Sequence, residues 1–330
     1  MYMVEEGVWM ELLNNLGICY SGDYISQGSI VDKCKKSNKL GIKNTEFIIR
    51  NDGKNMDFDN INNLYSGNVI FHLPTININQ SNLKYVKDTL NYLIKNDIRL
   101  ITIDASTLLF ETFDWSTDEE QENYLKNMAK GIASLVIDDV DIAIENTAKD
   151  KDNSLFGKTL SNMSDLLVYT RNCLVEQFNY SREEANKKIG ISINLDNLIK
   201  VEEQNTLENW FKVFYNDIKC IKVSNIEKDL ITFNEILDLV INNDLDIPVL
   251  FNTHEELEGI ANDYKKFEHL VKNKLEGKPL NFEGYQNIVI KDDNYNFSSA
   301  QSGFTNAVII CMIILTAIVG VLIFIMQSKH

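Results

Sequence analysis

The chain has 330 residues, 44% of them hydrophobic and 24% charged, which suits a globular protein with one large domain and an appendage. Asp and Glu number 48 against 32 Lys and Arg, a net charge of −16 that repels phosphate backbones and argues against a nucleic-acid partner. Five scattered cysteines, with no close pair, argue against a disulfide framework or a zinc cluster.

Taken in order, residues 1–15 read as a short helix or arm. A first strand is expected over 16–20 and a helix over 26–40, with Gly41 as its terminator. A second strand over 45–49 carries Glu46 inside it, for which a solvated or capping role is expected. The third strand, 68–73, ends at His72, Leu73 and Pro74, and a helix follows over 81–96. The fourth, 98–103, ends at Asp104. An aromatic segment then holds Phe110, Phe113 and Trp115, on the side where lids occur and where packing is the simpler role for such rings. Thr117-Asp118-Glu119-Glu120 has the pattern of a capping box and opens a helix to about 137.

The stretch 140–147, VDIAIENT, is the fifth strand. Ile142, Ala143 and Ile144 are apolar, and the strand ends in Glu145 and Asn146. Helices are expected over 161–178 and 181–187. A sixth strand, 189–195, ends at Asp196, and a helix runs over 207–216. A seventh strand, 219–223, carries Lys222 near its end. A helix over 229–242 leads to the eighth strand, 247–251, followed by Asn252, Thr253 and His254. A last helix runs over 255–275.

Eight strands alternating with helices give the fold class: α/β, a (β/α)8 TIM barrel over 1–276. Ser21-Gly22-Asp23 is not the glycine-rich first turn of a doubly wound sheet. Residues 277–303 read as a polar tether. From 304 to 326 no residue is charged, and as a helix the segment reaches about 34 Å, enough for a bilayer core. One C-terminal transmembrane helix is therefore expected. The N-terminus lacks a basic region before an apolar core, so the expectation is a single-pass, tail-anchored membrane protein with its large N-terminal domain cytoplasmic.

The strand ends resemble those of the xylose isomerase-like TIM barrels, which include sugar-phosphate isomerases and epimerases and apurinic endonucleases of family 2. The resemblance covers about residues 14–275. Phe71-His72-Leu73-Pro74 is similar to the family's His-x-Pro, Ile144-Glu145-Asn146 to its Glu-Asn, and Leu195-Asp196 to its Leu-Asp. The resemblance implies Glu145 as catalytic base, and Glu145 and Asp196 as ligands of a divalent cation (Mn or Mg); among the other residues near the strand ends, His72, Lys222, Asn252 and His254 are the candidates for binding substrate. Three positions depart from the pattern. Lys222-Val223-Ser224-Asn225 stands where the family has His-x-x-Asp. Asn252 stands where it has its last glutamate, and Ile199 where it has a histidine. A lysine in that pocket repels a metal ion and can neutralise Glu145 or Asp196.

Four histidines, only two of them near strand ends, are too few for the trinuclear zinc centre of the DNA-repair branch. Two functions remain. One is a membrane-tethered isomerase or epimerase of sugars or sugar phosphates. The other is a non-catalytic barrel with a degenerate metal site, serving as a binding or interaction module at the membrane.

Overall fold

The computed structural model describes residues 12–20, 30–48, 65–73, 90, 98–105, 117–137, 139–147, 157–199, 206–223, 230–243, 245–253 and 257–285. Eight parallel strands close into a barrel in sequence order: β1 (Leu16–Tyr20), β2 (Asn44–Ile48), β3 (Asn68–Leu73), β4 (Leu100–Asp104), β5 (Asp141–Glu145), β6 (Ile189–Asn194), β7 (Ile218–Val223) and β8 (Val249–Thr253). Closure is made by β1 against β8, with Cys19 beside Asn252. The described helices are α1 (Ile30–Leu40), α2 (Asp118–Ala133), α3 (Leu160–Phe178), α4 (Arg182–Lys188), α5 (Leu195–Ile199), α6 (Leu207–Phe214), α7 (Leu230–Asn242) and α8 (Leu257–Leu275).

Local chemistry sets the helix ends. Thr117 and Glu120 form the expected capping box on α2, each side chain binding the other's backbone N–H. Ser181 and Glu184 do the same for α4, and Thr159 and Thr206 cap α3 and α6. Gly41 ends α1 in the left-handed region, φ 72°, as the sequence predicts.

The larger core lies between barrel and helices. Outward-facing Ile18, Phe47, Phe71, Ile101, Ile142, Ile144, Ile191 and Ile221 are fully buried there, each contributing about 1.5–3 kcal/mol. The interior is smaller and mixed. Its apolar members are Cys19, Ile70, Cys220 and Leu250, with Leu100 packed beneath. Gly17 leaves room at this level: a Cβ there would lie 2.5 Å from Leu250 Cδ2 and 2.3 Å from the Asn44 carbonyl oxygen.

Alternation and register stack the interior side chains in layers. Ile70, Ala143 and Cys220 come from odd strands; Glu46, Thr102, Ser192 and Leu250 from even strands; then Cys19, His72, Glu145 and Lys222 from odd strands, toward the carboxyl rim.

Most strands lie within one or two residues of the sequence expectation, and two of the differences bear on the site. β8 is displaced by two residues, beginning after Pro248, whose missing N–H leaves only its carbonyl to accept from Ile221 N at 3.0 Å. Asn252 is thereby inside the strand. β6 stops at Asn194, and the chain turns into α5 at Leu195, so Asp196 lies in a helical first turn and not at a strand end.

Packing continues past the expected boundary at 276. Leu280 and Phe282 lie against the core, and Tyr285 Oη donates to the Asn262 carbonyl at 3.1 Å. Among the described residues no helix is long and apolar enough to cross a membrane. The segment 304–326 lies outside them, as do His254 and the aromatic segment 106–116.

Candidate active site

The carboxyl-rim half of the barrel interior is built around Lys222. Its ammonium lies 2.7 Å from Glu46 Oε1 and in close contact with Glu145 Oε2. Two further groups surround it: His72 Nδ1 at 3.4 Å and Thr102 Oγ1 at 3.5 Å. Four strands thus present four polar atoms to one nitrogen. The centre is closed off from solvent: the side chains of Glu46 and Lys222 are 0% and 3% exposed, those of Glu145 and His72 8% and 14%. Glu145 and His72 form its rim-facing side.

Glu46 is tightly held. Thr102 Oγ1 and Cys19 Sγ both donate to its carboxylate, the latter at 2.7 Å. His72 Nδ1 lies 2.9 Å from Thr102 Oγ1 and 3.8 Å from Glu145 Oε2. Glu145 Oε1 accepts from Asn194 Nδ2 at 2.8 Å. Asn194 is itself fixed, its backbone N–H donating to Asn146 Oδ1 at 2.6 Å and its carbonyl accepting from Asn146 Nδ2 at 3.0 Å.

Electrostatics keeps the central pair ionised. Burial opposes the charge on Lys222, but the Glu145 and Glu46 carboxylates outweigh it and hold the ammonium well above the ordinary lysine range. Burial likewise works against the Glu46 carboxylate, and the Lys222 charge overrides it, leaving Glu46 below the usual carboxylate range. Burial, then the Glu46 charge, push Cys19 far up, so the thiol stays protonated and donates.

The structure brings Glu145, His72, Lys222 and Asn252 to the same end of the barrel. Asn252 Oδ1 is buried and has no donor among the described residues. Asp196 is half-buried on α5, its backbone N–H donating to Asn194 Oδ1 at 3.1 Å; the strand-end position facing Glu145 belongs to Asn194. Glu46 corrects a sequence expectation: it is not solvated or capping but sits at the barrel's centre. The sequence alone carried no signal for this; the burial of the strand along most of its length is what calls for a partner to its carboxylate.

A divalent cation does not fit these residues. The point where Glu46, Glu145, His72 and Thr102 converge is filled by the Lys222 ammonium, and both carboxylates are committed to it. Among the described residues no three His, Cys, Asp or Glu side chains are arranged to hold a metal ion.

No protein-family model matches the chain, and no curated protein does. Solved structures do. An L-ribulose 3-epimerase superposes with a TM-score of 0.58 at 12% identity, over 79% of this chain and 95% of that one. A sugar phosphate isomerase/epimerase from Parabacteroides distasonis superposes with a TM-score of 0.53 at 10% identity, over 77% and 93%. An AP endonuclease of family 2 from Brucella melitensis gives 0.53 at 9% identity, over 74% and 95%. At such identities the likeness establishes the fold alone, a closed barrel of eight parallel strands.

Proposed function

We propose that the chain is a sugar isomerase/epimerase of the TIM-barrel type, acting on a sugar or sugar phosphate at the carboxyl rim and tethered to a membrane through residues 304–326. The observation that carries the reading is the pairing of Glu145 with His72 on the rim-facing side of a buried positive charge. The fold neighbours' own activities, ribulose epimerisation and sugar-phosphate isomerisation, point to the same chemistry.

Glu145 accepts a proton from the carbon beside the substrate carbonyl and, for an isomerisation, returns it to the former carbonyl carbon while the hydroxyl proton passes between the two oxygens; an epimerisation takes its second proton on the opposite face, from an acid other than Glu145. The electron pair left behind moves onto the carbonyl oxygen. Lys222 supplies fixed positive charge near that developing enediolate, and its low dielectric surroundings strengthen the effect. His72 and Asn252 bind sugar hydroxyls, the latter through its undonated oxygen. No step runs through a metal ion.

Incubating the full chain with ketoses and ketose phosphates in D2O should place deuterium at the carbon beside the carbonyl, and the rate should persist in chelator. Glu145→Gln should slow exchange about 10²–10⁴-fold. Absence of exchange with every sugar tried would remove the catalytic reading. The alternative is a sugar-binding module without turnover. It is favoured by Lys222 engaging both carboxylates, and predicts ligand-induced shifts without exchange.

For the tether, the full chain should remain with membranes through high-salt and carbonate washes. The double substitution Ile314→Lys, Leu315→Lys should release it, because each charge at a helix centre costs about 2.5–3.5 kcal/mol on insertion scales. Wild-type protein recovered in the supernatant would contradict the span.

A further inference from the structure

The geometry points to Lys222 as the built-in cation of this barrel: its ammonium occupies the point where two carboxylates, an imidazole and a hydroxyl converge, so the native chain takes no divalent ion there, and removing the amine frees both carboxylates to rearrange around one.

The nitrogen lies within 3.5 Å of a carboxylate oxygen from β2, a carboxylate oxygen from β5, an imidazole nitrogen from β3 and a hydroxyl from β4. Two carboxylates, an imidazole and a neutral oxygen are the donor types that suit Mn²⁺ or Mg²⁺. These four groups face inward from neighbouring layers of a rigid sheet, and Cys19 and Asn194 hold the two carboxylates from behind. What prevents metal binding is the occupant. A fixed positive charge at the convergence point repels a divalent ion and engages both carboxylates, leaving one net negative charge in place of two. Without the amine, two buried carboxylates face each other unneutralised, which a divalent ion relieves.

The inference is independent of sugar turnover, and its test reads metal and folding alone. Full-length wild type, Lys222→Gln and Lys222→Gln/Glu145→Gln are compared for Mn²⁺ binding by EPR and for Tm with and without 1 mM MnCl2. Lys222→Gln should bind stoichiometric Mn²⁺ and gain about 5 °C or more in Tm from it. Wild type and the double variant should show neither tight binding nor a comparable shift; the double variant controls for loose binding to the acidic surface. Tight Mn²⁺ binding by wild type that Glu145→Gln abolishes would overturn the inference, and so would a Lys222→Gln protein that neither binds nor is stabilised by Mn²⁺. Should Lys222→Gln be unfolded without metal, Mn²⁺ must restore its fold; failure to do so also overturns it, and the wild-type measurement stands by itself.

Discussion

Lys222→Met should cost about 3–5 kcal/mol of folding stability, read as a Tm about 6–15 °C below wild type. The substitution nearly conserves volume, so the loss is electrostatic. Glu46 and Glu145 would remain buried with their shared cation gone. Glu46→Gln should cost less, about 1–3 kcal/mol, because the Lys222–Glu145 pair survives it and the amide retains hydrogen-bonding capacity toward Cys19 and Thr102. The order of the two variants is the informative result. Equal losses, or a near-neutral Lys222→Met, would mean that the ammonium is not paired with both carboxylates. Chemical denaturation monitored by tryptophan fluorescence reads it, since Trp210 is fully buried.

The second large effect is on pH dependence. Glu46 has its folded value below the ordinary 4.5 because of the adjacent ammonium, so the unfolded chain takes up this proton first. Its contribution to stability is complete above about pH 4.5 and is lost as pH falls through the lower folded value. Lys222 behaves in the opposite sense. Its folded value lies well above 10.5, so its contribution is complete below about pH 10.5 and is lost as pH rises through the folded value. The centre therefore contributes a plateau from about pH 5 to 10 with a fall on each side. Unfolding free energies of Glu46→Gln against wild type should converge in acid, because protonation removes in wild type what the amide removes at every pH. A constant gap between them down to pH 3 would contradict the assignment.

The barrel was legible in the sequence because each strand is short, apolar on its outward face and bounded by turn residues, with helical periodicity between. Glu145 and Lys222 were legible because charged residues near the carboxyl ends of barrel strands are rarely there for packing, and a lysine where the resemblance has a metal-binding pattern suggested a charge partner for Glu145. Glu46 was not. Seen alone, an acid in a five-residue strand has no visible face. Only closure of the sheet shows that Asn44 and Glu46 point inward while Thr45 and Phe47 point to the helices. Asn194 was missed because the Leu195-Asp196 pair that resembles the family motif lies one to two residues past the true strand end. The side-chain cap from Asn194 Oδ1 to Asp196 N is what starts α5 early, and no strand periodicity reveals it.

These corrections change the chemistry expected. A rim with two carboxylates reads as a metal site. A carboxylate–ammonium–carboxylate centre, with an imidazole and a hydroxyl beside it, reads as a fixed charge array in which the cation is covalently part of the chain. The same array explains how so polar an interior can be buried: its ionic groups have partners, and the remaining lone pairs of Glu46 are occupied by Cys19 and Thr102.

The most direct test of this centre is a double-mutant cycle between Glu46→Gln and Lys222→Met, measured by denaturant unfolding at pH 7. The structure predicts strong coupling, the double variant losing about 1–3 kcal/mol less than the sum of the two single losses. Additivity within about 0.5 kcal/mol would show that the two side chains do not share a buried ion pair.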